Sequence, residues 1–126
     1  MKTEIIFTRQ DIAIPAMMLT SREVGACVEF QGIVREMEES TPLQGLEYEA
    51  YEPMAGRLLH LHFTELAAKH PCEAVVFIHR LGWVPVGEAS LFVRVLASHR
   101  GEALQFLAEA IDRLKTDVPI WKVRKA

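Results

Sequence analysis

Two stretches of the sequence repeat apolar residues with the 3.6-residue period of an α-helix, and this pattern constrains the fold more than any other. The first is 54–69, which His70 and Pro71 terminate, and the second is 101–115. Their apolar stripes are Ala55, Leu59, Phe63 and Leu66 in the first stretch and Leu104, Leu107, Ile111 and Leu114 in the second. The pattern predicts two long helices, each packed through one face.

Strand-like patterns fill much of the remaining sequence. Residues 25–36 and 45–52 alternate apolar and polar side chains, and we expect these two segments to pair across 37–44. Three further runs favour strands: 4–9, 73–82 and 88–99, with the turn-forming "WVPVG" between the last two.

A short helix is predicted near 13–22, because Pro15 suits a first helical turn and Gly25 suits a stop. Helices and strands in this order, followed by a β-like tail, predict an α+β fold with a mostly antiparallel sheet and packed helices. The chain has 126 residues and no internal repeat or linker. We therefore expect one domain over 1–126.

Charge and composition limit the kinds of partner. The formal net charge is −3, so we expect no nucleic-acid partner. No run approaches the roughly 20 apolar residues of a membrane span, and no signal peptide is predicted. Cys27 and Cys72 follow no motif spacing, which favours a reducing cytoplasm, although a disulfide between them stays open.

Familiar catalytic motifs are missing from the sequence. His60 and His62 stand two apart on a predicted helix, so their side chains diverge, and we expect no metal site. Cys27 falls within a predicted strand, where a small buried hydrophobe is the plainer interpretation. Phosphate-binding glycine loops and nucleophile elbows are also missing.

The segment "LKTDVPIWK" places Lys115 in a last helical turn and Lys122 after an extended segment that Pro119 stiffens. If this tail returns beside its helix, the two ammonium groups lie close together. The plainer alternative is that Lys115 complements the helix dipole and that Lys122 is a solvated tail residue.

Three more cations stand where they can serve an anion site. Arg35 ends the predicted strand 25–36, and His99 and Arg100 stand where the last helix begins and free N–H groups favour anions. The alternatives are that Arg35 and Arg100 are solvated and that Ser98 caps the helix. Converging cations suit an anionic, phosphate-bearing substrate, and a lysine among them suits nucleophilic or general-base chemistry.

Five segments, taken together, resemble the large, catalytic subunit of molybdopterin synthase: "FQGIVRE", "LEYEAYEPMA", "IHRLGWVPVGE", "SHRGEA" and "AIDRLKTDVPIWK". They occur in the family's order from about Gly25 to Lys122. The resemblance implies an α/β hammerhead-type fold and a sulfurtransferase of molybdenum cofactor biosynthesis, without a cofactor of its own. Such an enzyme converts a cyclic pyranopterin monophosphate into molybdopterin by adding two dithiolene sulfurs.

The resemblance also implies partners. Sulfur arrives as a thiocarboxylate on the C-terminal Gly-Gly of a small ubiquitin-like subunit, and two large subunits dimerise within a heterotetramer. This chain ends in Arg-Lys-Ala, so we expect it to be the receiving subunit. A non-catalytic scaffold, or a pterin-phosphate-binding protein of the same fold, is the alternative.

Site residues carry over from the matched motifs. Lys115 and Lys122 fall on the family's two functional lysines, and we expect both to be catalytic and to bind substrate. The other expected substrate-binding residues are Ile33, Val34, Arg35, His99, Arg100, Val123 and Arg124, with His99 and Arg100 supplied across the dimer. This sequence departs from the family in two places. Many relatives continue beyond "PIWK". Relatives can also have a basic residue where this chain has Ile33, so we expect one phosphate contact to be missing here.

Overall fold

The computed structural model describes the backbone of all 126 residues and every side chain except those of residues 124 and 125. The helices are α1 (Glu52–Lys69) and α2 (Arg100–Asp117). The strands are β1 (Lys2–Thr8), β2 (Ala26–Ile33), β3 (Met37–Glu38), β4 (Thr41–Pro42), β5 (Gly45–Ala50), β6 (Ala74–Arg80), β7 (Gly82–Pro85), β8 (Ala89–Ala97) and β9 (Ile120–Lys125). The predicted α+β class and both long helices are confirmed.

The main sheet has the strand order β1-β6-β8-β2. Only its β1–β6 pair is parallel, and the β6–β8 and β8–β2 pairs are antiparallel. Both helices contribute buried apolar residues to the core with this sheet. The ring of Phe63 on α1 lies 6.0 Å from that of Phe77 on β6 and 5.9 Å from that of Phe106 on α2. Aromatic side chains thus join the two helices to the sheet.

A second sheet, with the order β7-β5-β9, lies beside the first. The predicted pairing of 45–52 with 25–36 is wrong, because β5 pairs with β7 and β9 while β2 pairs with β8. The connection between β2 and β5 forms its own β3–β4 hairpin. Leu43 and Leu46 then pack with Val34 and Val84 in a small separate core, which holds β5 in the second sheet.

The predicted turn "WVPVG" is only partly a turn. Gly82–Pro85 forms β7, and the chain reverses at Val86 and Gly87. Gly87 has a φ of +88°, a left-handed conformation that glycine adopts without a steric penalty. Pro85 is the last residue of β7, which is an edge strand of its sheet. Proline is tolerated on an edge strand, so it does not prevent the strand from forming.

The helix predicted near 13–22 is wrong, since this segment is irregular. Its backbone and side chains are held by other partners: Arg94 Nη2 donates to the carbonyl of Pro15 (2.8 Å), and Ser21 Oγ donates to Glu73 (2.6 Å). The apolar side chains of this segment are at least half exposed: Ile14, Met17, Met18 and Leu19. A short helix gains most of its stability by burying an apolar face, and this segment buries none.

Candidate functional site

A cavity of about 300 Å³ lies where the C-terminal end of α2 meets both sheets. Lys115 from α2 and Lys122 from β9 both line it. Its apolar wall includes Leu114 and Trp121, and its polar residues include His79. One concave space thus joins two cationic side chains from separate elements, an arrangement suited to an anionic ligand.

The local sequence explains how both lysines reach this cavity. Helix α2 ends at Asp117, and Val118, which precedes the proline, is extended (φ −76°, ψ 127°). The Val118 side chain is buried and anchors the turn. Strand β9 then runs antiparallel to β5, where Lys122 pairs with Tyr48. The buried anchor and the strand pairing set the position of Lys122 relative to the helix end.

A smaller cavity of about 90 Å³ adjoins the first and holds Arg35. Ile33, Tyr48 and Lys122 line both cavities, so the two share a wall. Arg35 is exposed and stands two residues beyond the end of β2, rather than within the strand as predicted. The structure therefore brings Arg35 and Lys122 to one small cavity and Lys122 and Lys115 to the next.

Both sheets are irregular where they meet these cavities. The pairing of β2 with β8 shifts register between Gly32 and Ile33, and the pairing of β5 with β9 shifts between Glu47 and Tyr48. Such bulges are common next to active sites, where they redirect side chains. Here Gly32, Ile33 and Tyr48 all line the larger cavity.

Sequence reasoning missed two polar residues of the site. Glu38, on β3, lines the smaller cavity and accepts a hydrogen bond from the ammonium group of Lys122. His79, on β6, lines the larger cavity and is 5% exposed. The only signal for His79 in the sequence was a histidine next to the last residue of an otherwise apolar strand, "VVFIHR". Glu38 lies within the acidic run "EMEES", where nothing distinguishes it from its neighbours.

His99 and Arg100 lie apart from the lysines within one chain. They line a separate open depression of about 490 Å³ with Gly25. Arg100 opens α2 and Lys115 stands near its end, fifteen residues later, so about 22 Å of helix separates them at 1.5 Å per residue. His99 is the N-cap residue of α2 without a side-chain cap bond, so Ser98 does not have the capping role considered above.

The last two expected substrate-binding residues follow Lys122 on β9. Val123 is 52% exposed and is not among the residues that line either cavity. The side chain of Arg124 falls outside the described part of the chain, so the expectation for it stays a prediction.

The two cysteines are free. Cys27 is exposed on β2, so the interpretation of a small buried hydrophobe is wrong there. Cys72 is half-buried, and burial raises the pKa of its thiol to about 11, with a further contribution from Glu102. A thiol that stays protonated is a poor nucleophile.

The described residues show neither a metal centre nor a helix that could span a membrane. No group of three or more His, Cys, Asp and Glu side chains among them is arranged to hold a metal ion. Neither α1 nor α2 is apolar enough over its length to cross a membrane.

Known proteins with related sequences point to one family. A model of the family described as MoaE protein matches residues 7–117. The molybdopterin synthase catalytic subunit of Drosophila willistoni is 44% identical over 120 residues, which make up 94% of this chain and 32% of that protein. The chain spans between about a third and two thirds of the length of such curated relatives.

Solved structures show the same fold. The crystal structure of molybdopterin synthase from Staphylococcus aureus is 35% identical with a TM-score of 0.78, over 84% of this chain and 77% of that one. A complex of subunits 1 and 2 of molybdopterin-converting factor from Helicobacter pylori 26695 is 25% identical with a TM-score of 0.67. That match covers 95% of this chain and 82% of the other.

Proposed function

The chain belongs to the MoaE protein family, and from this membership we propose that it is the catalytic subunit of a molybdopterin synthase. Its reaction is sulfur transfer from the C-terminal thiocarboxylate of a small subunit to a cyclic pyranopterin monophosphate, which forms the dithiolene of molybdopterin. The observation that carries the proposal is the single cavity lined by Lys115 and Lys122. A thiocarboxylate and a phosphorylated substrate repel each other, and two ammonium groups reduce that repulsion.

Each lysine has a distinct place in this reaction. Lys115, in the last turn of α2, is the central catalytic residue, which activates the attack or stabilises the acyl intermediate. Lys122, at the wall shared by both cavities, neutralises charge and assists proton transfer. Arg35, in the smaller cavity, binds the phosphate or the polar edge of the pterin.

His99 and Arg100 act in the site of a second copy. Their distance from Lys115 along α2 prevents them from joining the cavity of their own chain. Within a two-fold dimer, each copy can present this pair to its neighbour. The small subunit docks on each large subunit, as the Helicobacter complex of subunits 1 and 2 suggests, and forms a heterotetramer. Two free cysteines support a reducing, cytoplasmic setting.

Reconstitution tests the proposed activity. The purified chain is mixed with a small subunit that carries a C-terminal thiocarboxylate and with the cyclic pyranopterin monophosphate, and dithiolene product is measured. We expect product with the thiocarboxylate donor and none with the same donor ending in a carboxylate. A scaffold would bind the donor without forming product. A pterin-phosphate-binding protein would bind the precursor without needing the donor, and either result would refute the proposal.

Subunit mixing tests the exchange of residues between copies. Lys115→Ala and Arg100→Ala damage different elements of one shared site, so each variant alone should be nearly inactive. Random mixing makes half of the dimers mixed, and each mixed dimer holds one intact site. About a quarter of wild-type activity should therefore return. If the mixture is no more active than the separate variants, His99 and Arg100 do not serve the neighbour's site.

A further inference from the structure

Among the described residues that line the larger cavity, one side chain is suited to accepting a proton at neutral pH. The titratable ones among them are Tyr48, His79, Lys115 and Lys122, and none is an aspartate or glutamate. Tyrosine normally stays protonated at neutral pH and lysine normally stays cationic. Glu38 lies in the adjoining cavity, where its carboxylate is engaged with Lys122. His79 is left as the available base.

The hydrogen bond of His79 defines its tautomer. Nδ1 lies 2.8 Å from the backbone carbonyl oxygen of Arg80, which can only accept, so Nδ1 carries the proton and donates it. In the neutral ring the lone pair is then on Nε2. Burial lowers the pKa of His79, and this keeps the ring neutral where a solvated histidine begins to protonate.

Packing holds the ring in place. The rings of Tyr48 and His79 meet edge to face with their centroids 5.1 Å apart, and the Phe77 ring lies 6.3 Å from His79. His79 stands on the same face of β6 as Phe77, where the helices cover the sheet, and it lines the cavity that Lys115 also lines. A fixed, neutral imidazole at a cavity wall has the properties of a general base.

We propose that His79 is the general base of this cavity, whose Nε2 takes a proton from the water that cleaves the acyl–sulfur bond after sulfur transfer. This inference rests on the proposed function. A thiocarboxylate whose sulfur bonds to a substrate carbon, with an oxygen group leaving that carbon with its bonding electron pair, becomes a thioester. Release requires water: its oxygen bonds to the acyl carbon, the carbon–sulfur bond breaks, and the electron pair stays on sulfur as a thiolate.

The proton that water loses in this step ends on the sulfur that the donor releases. The water proton moves to Nε2 of His79 and returns from there to the thiolate, while the donor leaves as a carboxylic acid that ionises in solvent. Lys115 and Lys122 stabilise the negative charge that develops on the acyl oxygen and on sulfur. A volume of about 300 Å³ can admit a donor terminus and water, since each water takes about 30 Å³.

The test separates sulfur attack from release of the donor. The complete system of chain, thiocarboxylated donor and precursor is quenched at short times, and intact donor masses distinguish the thiocarboxylate, the donor–substrate adduct and the carboxylate. His79→Asn keeps a side-chain N–H for the carbonyl of Arg80 and removes Nε2. His60→Asn, on the exposed face of α1, is the matched control.

In His79→Asn we expect unchanged thiocarboxylate consumption, accumulation of the adduct, and adduct decay slower by roughly 100-fold or more. The wild-type decay should be independent of pH above about 6.5 and should slow as pH falls below that value, and the variant should lack that dependence. His60→Asn should match the wild type. Adduct decay at the wild-type rate in His79→Asn overturns the inference.

If His79→Asn does not fold, the wild-type pH profile decides, because a decay rate independent of pH also overturns the inference. If the wild-type protein consumes the thiocarboxylate but the adduct decays without the predicted effects of pH and of His79→Asn, only the role of His79 is refuted. If the wild-type protein never consumes the thiocarboxylate, the proposed function is refuted, and the role of His79 with it.

Discussion

Glu38 and Lys122, which both line the smaller cavity of the candidate site, form an ion pair although they stand 84 positions apart in the sequence. Glu38 comes from the β3–β4 hairpin, and Lys122 comes from β9 at the far end of the chain. The Glu38 side chain is 17% exposed and the Lys122 side chain is 40% exposed. In the free chain, the ammonium group that we assign to an anionic substrate is therefore already engaged with an internal carboxylate.

Removing the Glu38 charge should free Lys122 for an external anion. In Glu38→Gln we expect inorganic phosphate to bind about fivefold tighter, which corresponds to the ~1 kcal/mol of a partly exposed ion pair. The gain should shrink as ionic strength rises, because salt screens exposed charges. An NMR titration of the chain at two salt concentrations measures both effects.

Glu36→Gln is the control for this change, since it removes the same charge from an exposed residue that lines neither cavity. If Glu36→Gln strengthens phosphate binding as much as Glu38→Gln, the effect is one of net charge. The specific pairing with Lys122 would then have no part in anion binding.

The two cysteines should differ in reactivity. At pH 8 a thiol with a pKa of about 11 is thiolate in roughly one molecule in a thousand, so Cys72 should resist iodoacetamide. Cys27 is exposed and should be alkylated at least about tenfold faster. Peptide mapping over time measures the two rates, and denaturant should make them similar. Faster labelling of Cys72 in the native chain would contradict the burial described for it.

The stability of the chain should depend on pH through His79. The pKa of His79 is lowered in the folded chain, so below its unfolded value of 6.5 the unfolded chain binds more protons than the folded one. The stabilising contribution of the neutral ring is therefore complete above about pH 6.5 and is lost as pH falls through the folded-state pKa. Urea unfolding of the wild type and His79→Asn between about pH 5 and 8 measures the difference. Parallel stability curves would show that His79 does not titrate in this way.

Local patterns predicted the elements of this fold well where one periodicity dominated. The stripe through Leu59 and Phe63 predicted α1, and the alternation along 25–36 predicted β2, because these patterns need only one packed face. The segment 13–22 misled the prediction because Pro15 and Gly25 are compatible with a helix and equally with irregular chain. Its conformation is decided by distant partners, Arg94 and Glu73.

Strand pairing and the site were harder to predict, since both depend on contacts remote in sequence. The small core of Leu43, Leu46 and Val84 places β5 in a second sheet, and no periodicity within β5 reveals this. Rigidity around Pro119 did point to Lys115 and Lys122, which line one cavity. The sequence did not single out His79, because the contacts that fix its ring come from residues that no local pattern connects with it.

We propose that Lys115 and Lys122 act together on one substrate in one cavity. Single-turnover sulfur transfer by Lys115→Ala, Lys122→Ala and the double variant tests it most directly, with Lys69→Ala on α1 as the control, whose ammonium group pairs with Glu109 instead. We predict a loss of roughly 100- to 10,000-fold in each single site variant and wild-type rates in the control. Because groups that act as a unit are not additive, the double variant should lose little more than the worse single variant. Single variants that transfer sulfur within about twofold of the wild-type rate would contradict this shared role of the two lysines.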